Sequence, residues 1–194
     1  TALLVPSLAF ANTYSSIDYR IALLPESATP AIRVEEEIKG NFSEKLVINL
    51  PFGWAGGYYA QQIKNIKVVG LNGNFKVDKQ DTHQIVIDKL EDTNSVKLSY
   101  EIYQKPEDPS EIYETIVRSD LVHTIGYGLL ATPDDAKSED KIEVSIRWEG
   151  LPDEWTTLSS YSNNRFSQFK VTIPHAITSC HLHSRQTTHV PNRR

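Results

Sequence analysis

Along most of this chain every second side chain is apolar. Ile17, Tyr19, Ile21 and Leu23 share one parity of their run; Leu46, Ile48 and Leu50, then Val96, Leu98, Tyr100 and Ile102, then Ile142, Val144, Ile146 and Trp148 do the same in theirs. A two-residue repeat sends alternate side chains to opposite faces of an extended chain, so each run reads as a strand buried on one side. Turn formers separate the runs: Pro25 and Pro30, residues 41–44 and 91–94, and Asn72-Gly73, a strong short-range hairpin signal. No long run keeps the 3.6-residue period of a helix. The predicted class is all-β: an antiparallel β-sandwich of meander hairpins, with short helical turns and a poorly ordered C-terminal tail.

Several segments carry finer expectations. Glu36 shares the inward parity of Ile32, Val34 and Ile38, which predicts a bulge there or the end of the buried stretch. Residues 61–64 suit a short helical turn, and 66–69 and 75–78 suit the arms of a hairpin closed by Asn72-Gly73. Residues 111–117 fit either a short helix or a strand, and 132–140 read as loop. A last short strand is expected at 169–173, ahead of Pro174.

The chain has 194 residues, enough for one domain that buries roughly 70% of its unfolded surface. Its division is predicted as 1–11, a signal-peptide remnant; 12–174, the β-sandwich domain; and 175–194, a polar, His-containing tail. Leu3 to Ala11 looks like the end of an apolar signal core, with Ala9-Phe10-Ala11 as an Ala-x-Ala cleavage site that would leave Asn12 first. The basic region that opens such signals is missing, so the sequence is expected to begin inside one; a leader or a first strand is the other reading. Export, to a periplasm or the outside, follows from the signal. No uncharged apolar run is long enough for a transmembrane helix. Cys180 is the single cysteine, so no internal disulfide braces the fold.

Charge is unevenly spread. All 25 acidic residues lie at or before Glu154, and five basic residues (Arg165, Lys170, Arg185, Arg193, Arg194) follow it. An acidic body argues against a nucleic-acid partner, which calls for a basic face. The short basic tail reads as a solvated extension.

No His-Glu-x-x-His, Gly-x-Ser-x-Gly, phosphate loop or Cys-x-x-Cys occurs. His175, Cys180, His181, His183 and His189 crowd the tail, but their spacing matches no closed metal site, so no metal and no cofactor is assigned. Glu35-Glu36-Glu37 has no partner group in the sequence, and His83 and His123 sit beside loops as surface or capping residues. The candidate binding residues lie elsewhere. After Pro51 the segment Phe52-Gly53-Trp54-Ala55-Gly56-Gly57-Tyr58-Tyr59 places large amphipathic rings on a glycine-rich turn. Trp54, Gly56, Gly57, Tyr58 and Tyr59 are the predicted recognition residues for a peptide or protein partner, against the alternative that one ring covers the open end of the sandwich.

This turn resembles a segment in the N-terminal β-domain of the glycyl aminopeptidase family of zinc metallopeptidases, Pro-x-Trp-x-Pro-Gly-Ser-Tyr. Pro51, Trp54, Gly57 and Tyr59 fall on its Pro, Trp, Gly and Tyr, with one extra residue after Pro51 and with Gly56 and Tyr58 replacing its second Pro and its Ser. Downstream, Gly70-Leu71-Asn72-Gly73, the strand ending Tyr100-Glu101-Ile102, Val117-Arg118-Ser119 and Leu151-Pro152-Asp153-Glu154-Trp155 are similar to family features in the same order. The resemblance covers residues 14–160 and implies a β-domain that supports or recognises without catalysing. In the family, zinc and general base belong to a following helical domain, so no catalytic residue carries over. Two functions are expected: an exported non-catalytic recognition or scaffolding module, or a fragment or accessory subunit of a zinc aminopeptidase.

Overall fold

Period-two patterning becomes strand almost wherever it occurs. The computed structural model describes residues 12–24, 29–43, 45–51, 62–69, 75–78, 83–88, 90, 93–104, 115–118, 120–136, 141–160, 162–171 and 181–186, with backbone alone at 75–78, 127, 167–171 and 181–186. Among these, the strands are β1 (Thr13–Leu23), β2 (Ala31–Asn41), β3 (Lys45–Asn49), β4 (Ile63–Val69), β5 (Phe75–Asp78), β6 (Gln84–Asp88), β7 (Ser95–Tyr103), β8 (Ile116–Val117), β9 (Leu121–Ile125), β10 (Thr132–Pro133), β11 (Ile142–Glu149), β12 (Trp155–Ser159), β13 (Phe166–Val171) and β14 (His181–Gln186). Gly126–Gly128 forms a 3-10 turn.

They assemble as a six-stranded sheet, β13-β11-β1-β2-β7-β4, and two four-stranded sheets, β10-β3-β6-β5 and β12-β14-β9-β8. The all-β class holds. The six-stranded sheet gives the core its floor: Ile17, Tyr19, Ile21, Val34, Ile38, Leu98, Tyr100, Ile102 and Val144 are all 0–1% exposed. Leu46, Ile48, Ile85 and Ile87 of the β3–β6 pair join them in one buried cluster.

Five local expectations are corrected. First, β1 and β11 pair in parallel, so the large sheet is mixed; parallel partners need a long crossover, which the chain between Leu23 and Ile142 provides. Second, β4 and β5 do not form a hairpin, because β4 pairs with β7 and β5 with β6 in a different sheet. Each finds a partner longer than itself, and that pairing overrides the local turn signal; Asn72-Gly73 lies outside the described residues. Third, β4 is already strand at Ile63, where the sequence suits a helical turn, and Ile63 is 3% exposed beside Ile102 of β7. Fourth, Thr132–Pro133 is a short strand on β3 within the expected loop. Fifth, six tail residues pair as β14 between β12 and β9, because two antiparallel partners satisfy the backbone of a segment with no clear alternation. Of residues 111–117, Ile116–Val117 is strand.

Glu36 is the exception with the most consequence. The β2 register runs through it unbroken, with Tyr19 on one side and Leu98 on the other. The irregularity lies instead between Tyr14 and Ser16. A one-residue slip would turn Ile32, Val34 and Ile38 outward. Each buried aliphatic side chain is worth about 1.5–3 kcal/mol, and an unpartnered neutral polar group costs about 2–7 kcal/mol. Three aliphatics therefore hold the carboxyl inside.

Candidate functional site

The predicted recognition residues Trp54, Gly56, Gly57, Tyr58 and Tyr59 lie outside the described residues, but both feet of their turn are defined. At the first foot Leu50 is 3% exposed and its N–H donates to the His83 carbonyl at 2.8 Å. Beside it the Asn49 amide donates to Asp134 at 2.9 Å and accepts from Gln84 at 2.9 Å, which joins the end of β3 to β6 and to the turn after β10. At the second foot Ile63 starts β4, opposite Ile102. The turn thus leaves one sheet and enters the edge strand of another.

Next to that second foot is a polar cluster centred on Glu101. Arg33 and Lys64 are its cross-strand neighbours. The carboxylate accepts from Arg33 Nη2 at 2.8 Å, Asn65 Nδ2 at 2.6 Å and the Tyr103 hydroxyl at 2.8 Å. Lys64 Nζ stands 4.8 Å from the Tyr103 ring centroid. Burial alone would raise the Glu101 pKa; the three donors and the Arg33 charge outweigh it and hold the carboxyl below the usual glutamate value. The hydrogen bond to Glu101 is the main cause of the raised Tyr103 hydroxyl. Asn65 takes φ 53°, where the strand bulges, and its amide is thereby held against Glu101. Sequence reading missed this cluster, although Arg33, Lys64 and Glu101 share the outward parity of their strands.

On the inner face lies a second unanticipated grouping. Glu36 is 2% exposed, and neither carboxyl oxygen has a hydrogen-bond partner. Tyr19, directly across from it, donates its hydroxyl proton to the Ala131 carbonyl at 2.7 Å. Tyr100 donates to the Leu129 carbonyl at 2.7 Å and accepts from the Ala131 N–H at 3.0 Å. Both tyrosine protons are therefore spent on the segment that follows the 3-10 turn. Burial raises the Glu36 carboxyl well above its usual value. The signal was present in the sequence as an acid on an apolar parity.

The Glu35-Glu36-Glu37 run is split between faces: Glu36 points inward, and Glu37 lies on the outer face, where Lys39 and Lys97 approach it at 3.7 and 3.8 Å. Lys39 also meets Asp18 at 3.3 Å, so this acidic patch is largely neutralised by its own lysines. His83 takes φ 50° at the start of β6, and His123 sits half-buried in β9. Among the described residues no three His, Cys, Asp or Glu side chains gather as for a metal, and no helix is long and apolar enough to cross a membrane. The Leu-Pro-x-x-Trp segment is a turn: Trp155 N–H bonds the Pro152 carbonyl at 3.0 Å, and Arg165 donates to the carbonyls of Leu151 at 2.9 Å and Trp155 at 3.2 Å. Leu151 and Trp155 are both buried, so that resemblance is structural in kind.

In three dimensions the chain is similar to an aminopeptidase N family protein from Idiomarina loihiensis, with a TM-score of 0.63 at 13% identity, over 87% of this chain and 29% of that one. It is also similar to a point variant of the M1 zinc metallopeptidase from Deinococcus radiodurans, with a TM-score of 0.51 at 12% identity, over 90% of this chain and 42% of that one. The chain spans less than half the length of either. No family model matches its sequence, and neither does any curated protein. The β-domain fold implied by the sequence resemblance is present: the chain has the fold of the portion of these aminopeptidases that it overlies.

Proposed function

We propose that the chain is an exported, non-catalytic β module that recognises or scaffolds a peptide or protein, in the manner of the N-terminal β-domain of the aminopeptidases whose fold it shares. The observation that carries this reading is the coverage: the shared fold takes in 87% of this chain but 29% of the Idiomarina protein. In the resembled family the zinc and the general base belong to a different domain. The glycine-rich aromatic turn, held at both feet, forms the recognition wall, with Trp54 or Tyr59 stacking on the partner.

Three measurements test it. Purified chain supplied with zinc should hydrolyse no aminoacyl anilide, and turnover abolished by a chelator would overturn the non-catalytic reading. Peptide binding read by titration calorimetry should be lost in Trp54→Ala with folding intact; an unchanged affinity makes the turn structural. N-terminal sequencing of the exported protein should begin at Asn12, and a retained leader on cell-internal protein counts against export.

The same coverage favours one second reading, a fragment or accessory subunit of a zinc aminopeptidase. Reading the coding DNA beyond the Pro174 codon in all three frames separates the two, since a His-Glu-x-x-His there selects the fragment.

A further inference from the structure

Nothing in the proposed function uses Glu36, although it is the one acid among the described residues whose two carboxyl oxygens are both buried without a partner. Its surroundings are chemically simple. Tyr19 lies directly across from it on β1 and Leu98 on β7, with Tyr100 two residues further along the same face, and the segment running from Leu129 to Ala131 offers backbone carbonyls and one N–H that are already bonded to those tyrosines. The rest of the buried cluster is aliphatic apart from Tyr14, Trp148 and Trp155. Among the described residues no lysine, arginine or histidine side chain is buried with it, and burial is the one influence on its carboxyl. A carboxylic acid survives there only with its proton, since a bare carboxylate would be an uncompensated buried charge.

The two hydroxyls have an alternative. Each now gives its single proton to a loop carbonyl, whereas an ionised carboxylate accepts far more strongly than a carbonyl. We propose that Glu36 is a proton-operated latch for residues 129–131: protonated, it leaves Tyr19 and Tyr100 free to hold that segment on the sheet; ionised, it draws their hydroxyls and water to itself and the segment lifts. The proton passes to solvent base, no other covalent bond is made or broken, and the tyrosine hydrogen bonds to residues 129–131 are exchanged for bonds to the carboxylate. The segment continues into β10, whose Thr132 and Pro133 pair with Asn49 and Ile48 of β3, so lifting loosens the first foot of the aromatic turn. This last consequence rests on the reading of that turn as a recognition element; the latch itself does not.

The latch is tested on the full chain by amide hydrogen exchange from pH 5 to 9, corrected for intrinsic base catalysis. The reporter is the Ala131 N–H, bonded to the Tyr100 hydroxyl. Opening linked to loss of one proton accelerates its exchange by up to about tenfold per pH unit between the ordinary and the raised Glu36 value. In Glu36→Gln, which cannot ionise, the corrected rate should be flat with pH. An equal pH response in Glu36→Gln overturns the latch. Should that variant fail to fold, a carbon-13 titration of the wild-type Glu36 carboxyl decides: a midpoint that coincides with the loss of Ala131 protection supports it, and titration at an ordinary glutamate value overturns it. Neither readout involves a peptide partner, so failure here is distinguishable from failure of the recognition function.

Discussion

Glu36 on β2 and Tyr100 on β7 share the inner face of the six-stranded sheet, and they are near enough that the carboxylate charge, after burial itself, helps raise the tyrosine hydroxyl. The two groups thus oppose each other's ionisation. Burial raises Glu36, so the folded chain binds its proton more tightly than the unfolded chain does. Between the usual glutamate value and the raised one, the folded state carries the extra proton, and stability falls as pH rises through that window. Glu36→Leu removes the linkage along with the unpartnered group. It should be more stable than wild type by about 1–3 kcal/mol at pH 7, with the gap narrowing towards pH 4. Urea unfolding across that range measures it, and a gap that widens towards acid would contradict the buried-acid account.

Deleting either tyrosine hydroxyl should destabilise the fold. Tyr100→Phe strands both the Leu129 carbonyl and the Ala131 N–H, whereas Tyr19→Phe strands the Ala131 carbonyl. An orphaned buried group costs about 1–3 kcal/mol. Each variant should therefore lose at least about that much, as read from urea midpoints at pH 6. A Phe variant as stable as wild type would mean that the bonds its hydroxyl makes to residues 129–131 contribute nothing net.

These residues also show what the sequence conveys and where it stops. The parity of Ile17 to Leu23 and of Ile142 to Trp148 names the buried face of β1 and β11 correctly, because the period of a strand is fixed by backbone geometry. It does not say that the two strands lie side by side in parallel, since that depends on where a long crossover returns. Asn72-Gly73 is a local signal, and it loses to the longer ladders that β7 and β6 offer β4 and β5. Glu36 is legible as an anomaly that suits either a bulge or the end of the buried stretch, because a single residue does not reveal how strongly its apolar neighbours pin the register. The Glu101 cluster needs three strands to be brought together, and no linear motif spells that out. Trp54 and its neighbours stand out in the sequence, and only the feet of their turn are described.

Glu101 should behave in the opposite sense to Glu36. Its donors and the Arg33 charge hold its pKa below the usual value, so its stabilisation is present above the unfolded value and is lost as pH falls through the folded one. Glu101→Gln should cost about 1–2 kcal/mol at pH 7 and converge with wild type in acid, once the pH lies below the lowered folded-state value. The Arg33 side chain is 45% exposed, so the ion-pair part is screened, and 1 M salt should trim the difference. Thermal unfolding at the two pH values and two salt concentrations tests all three statements. A difference that grows in acid would show that the carboxylate is not the stabilising form.

Gly40 tests how rigidly the start of β1 is held. A Cβ added there would lie 2.0 Å from the Thr13 carbonyl oxygen and 3.0 Å from its carbon, so backbone must move to admit it. The displaced strand is tied immediately upstream. Asn12 Nδ2 donates to the Lys45 carbonyl at 3.1 Å and to Asp135 at 2.9 Å, its Oδ1 accepts from the Ser43 N–H at 2.6 Å, and the Tyr14 hydroxyl donates to Asp135. Gly40→Ala should accordingly cost about 2–4 kcal/mol, because the strand must either strain or abandon those bonds. Asn12→Ala, which cuts most of the tether, should cost about 1–3 kcal/mol alone. Together the two should cost less than their sum, by about 0.5–3 kcal/mol, since a loosened β1 yields more easily to the new methyl. A double-mutant cycle in urea reads that coupling. Strict additivity would mean that the clash is relieved within β2, and that the Asn12 tether has no part in setting how closely Thr13 approaches Gly40.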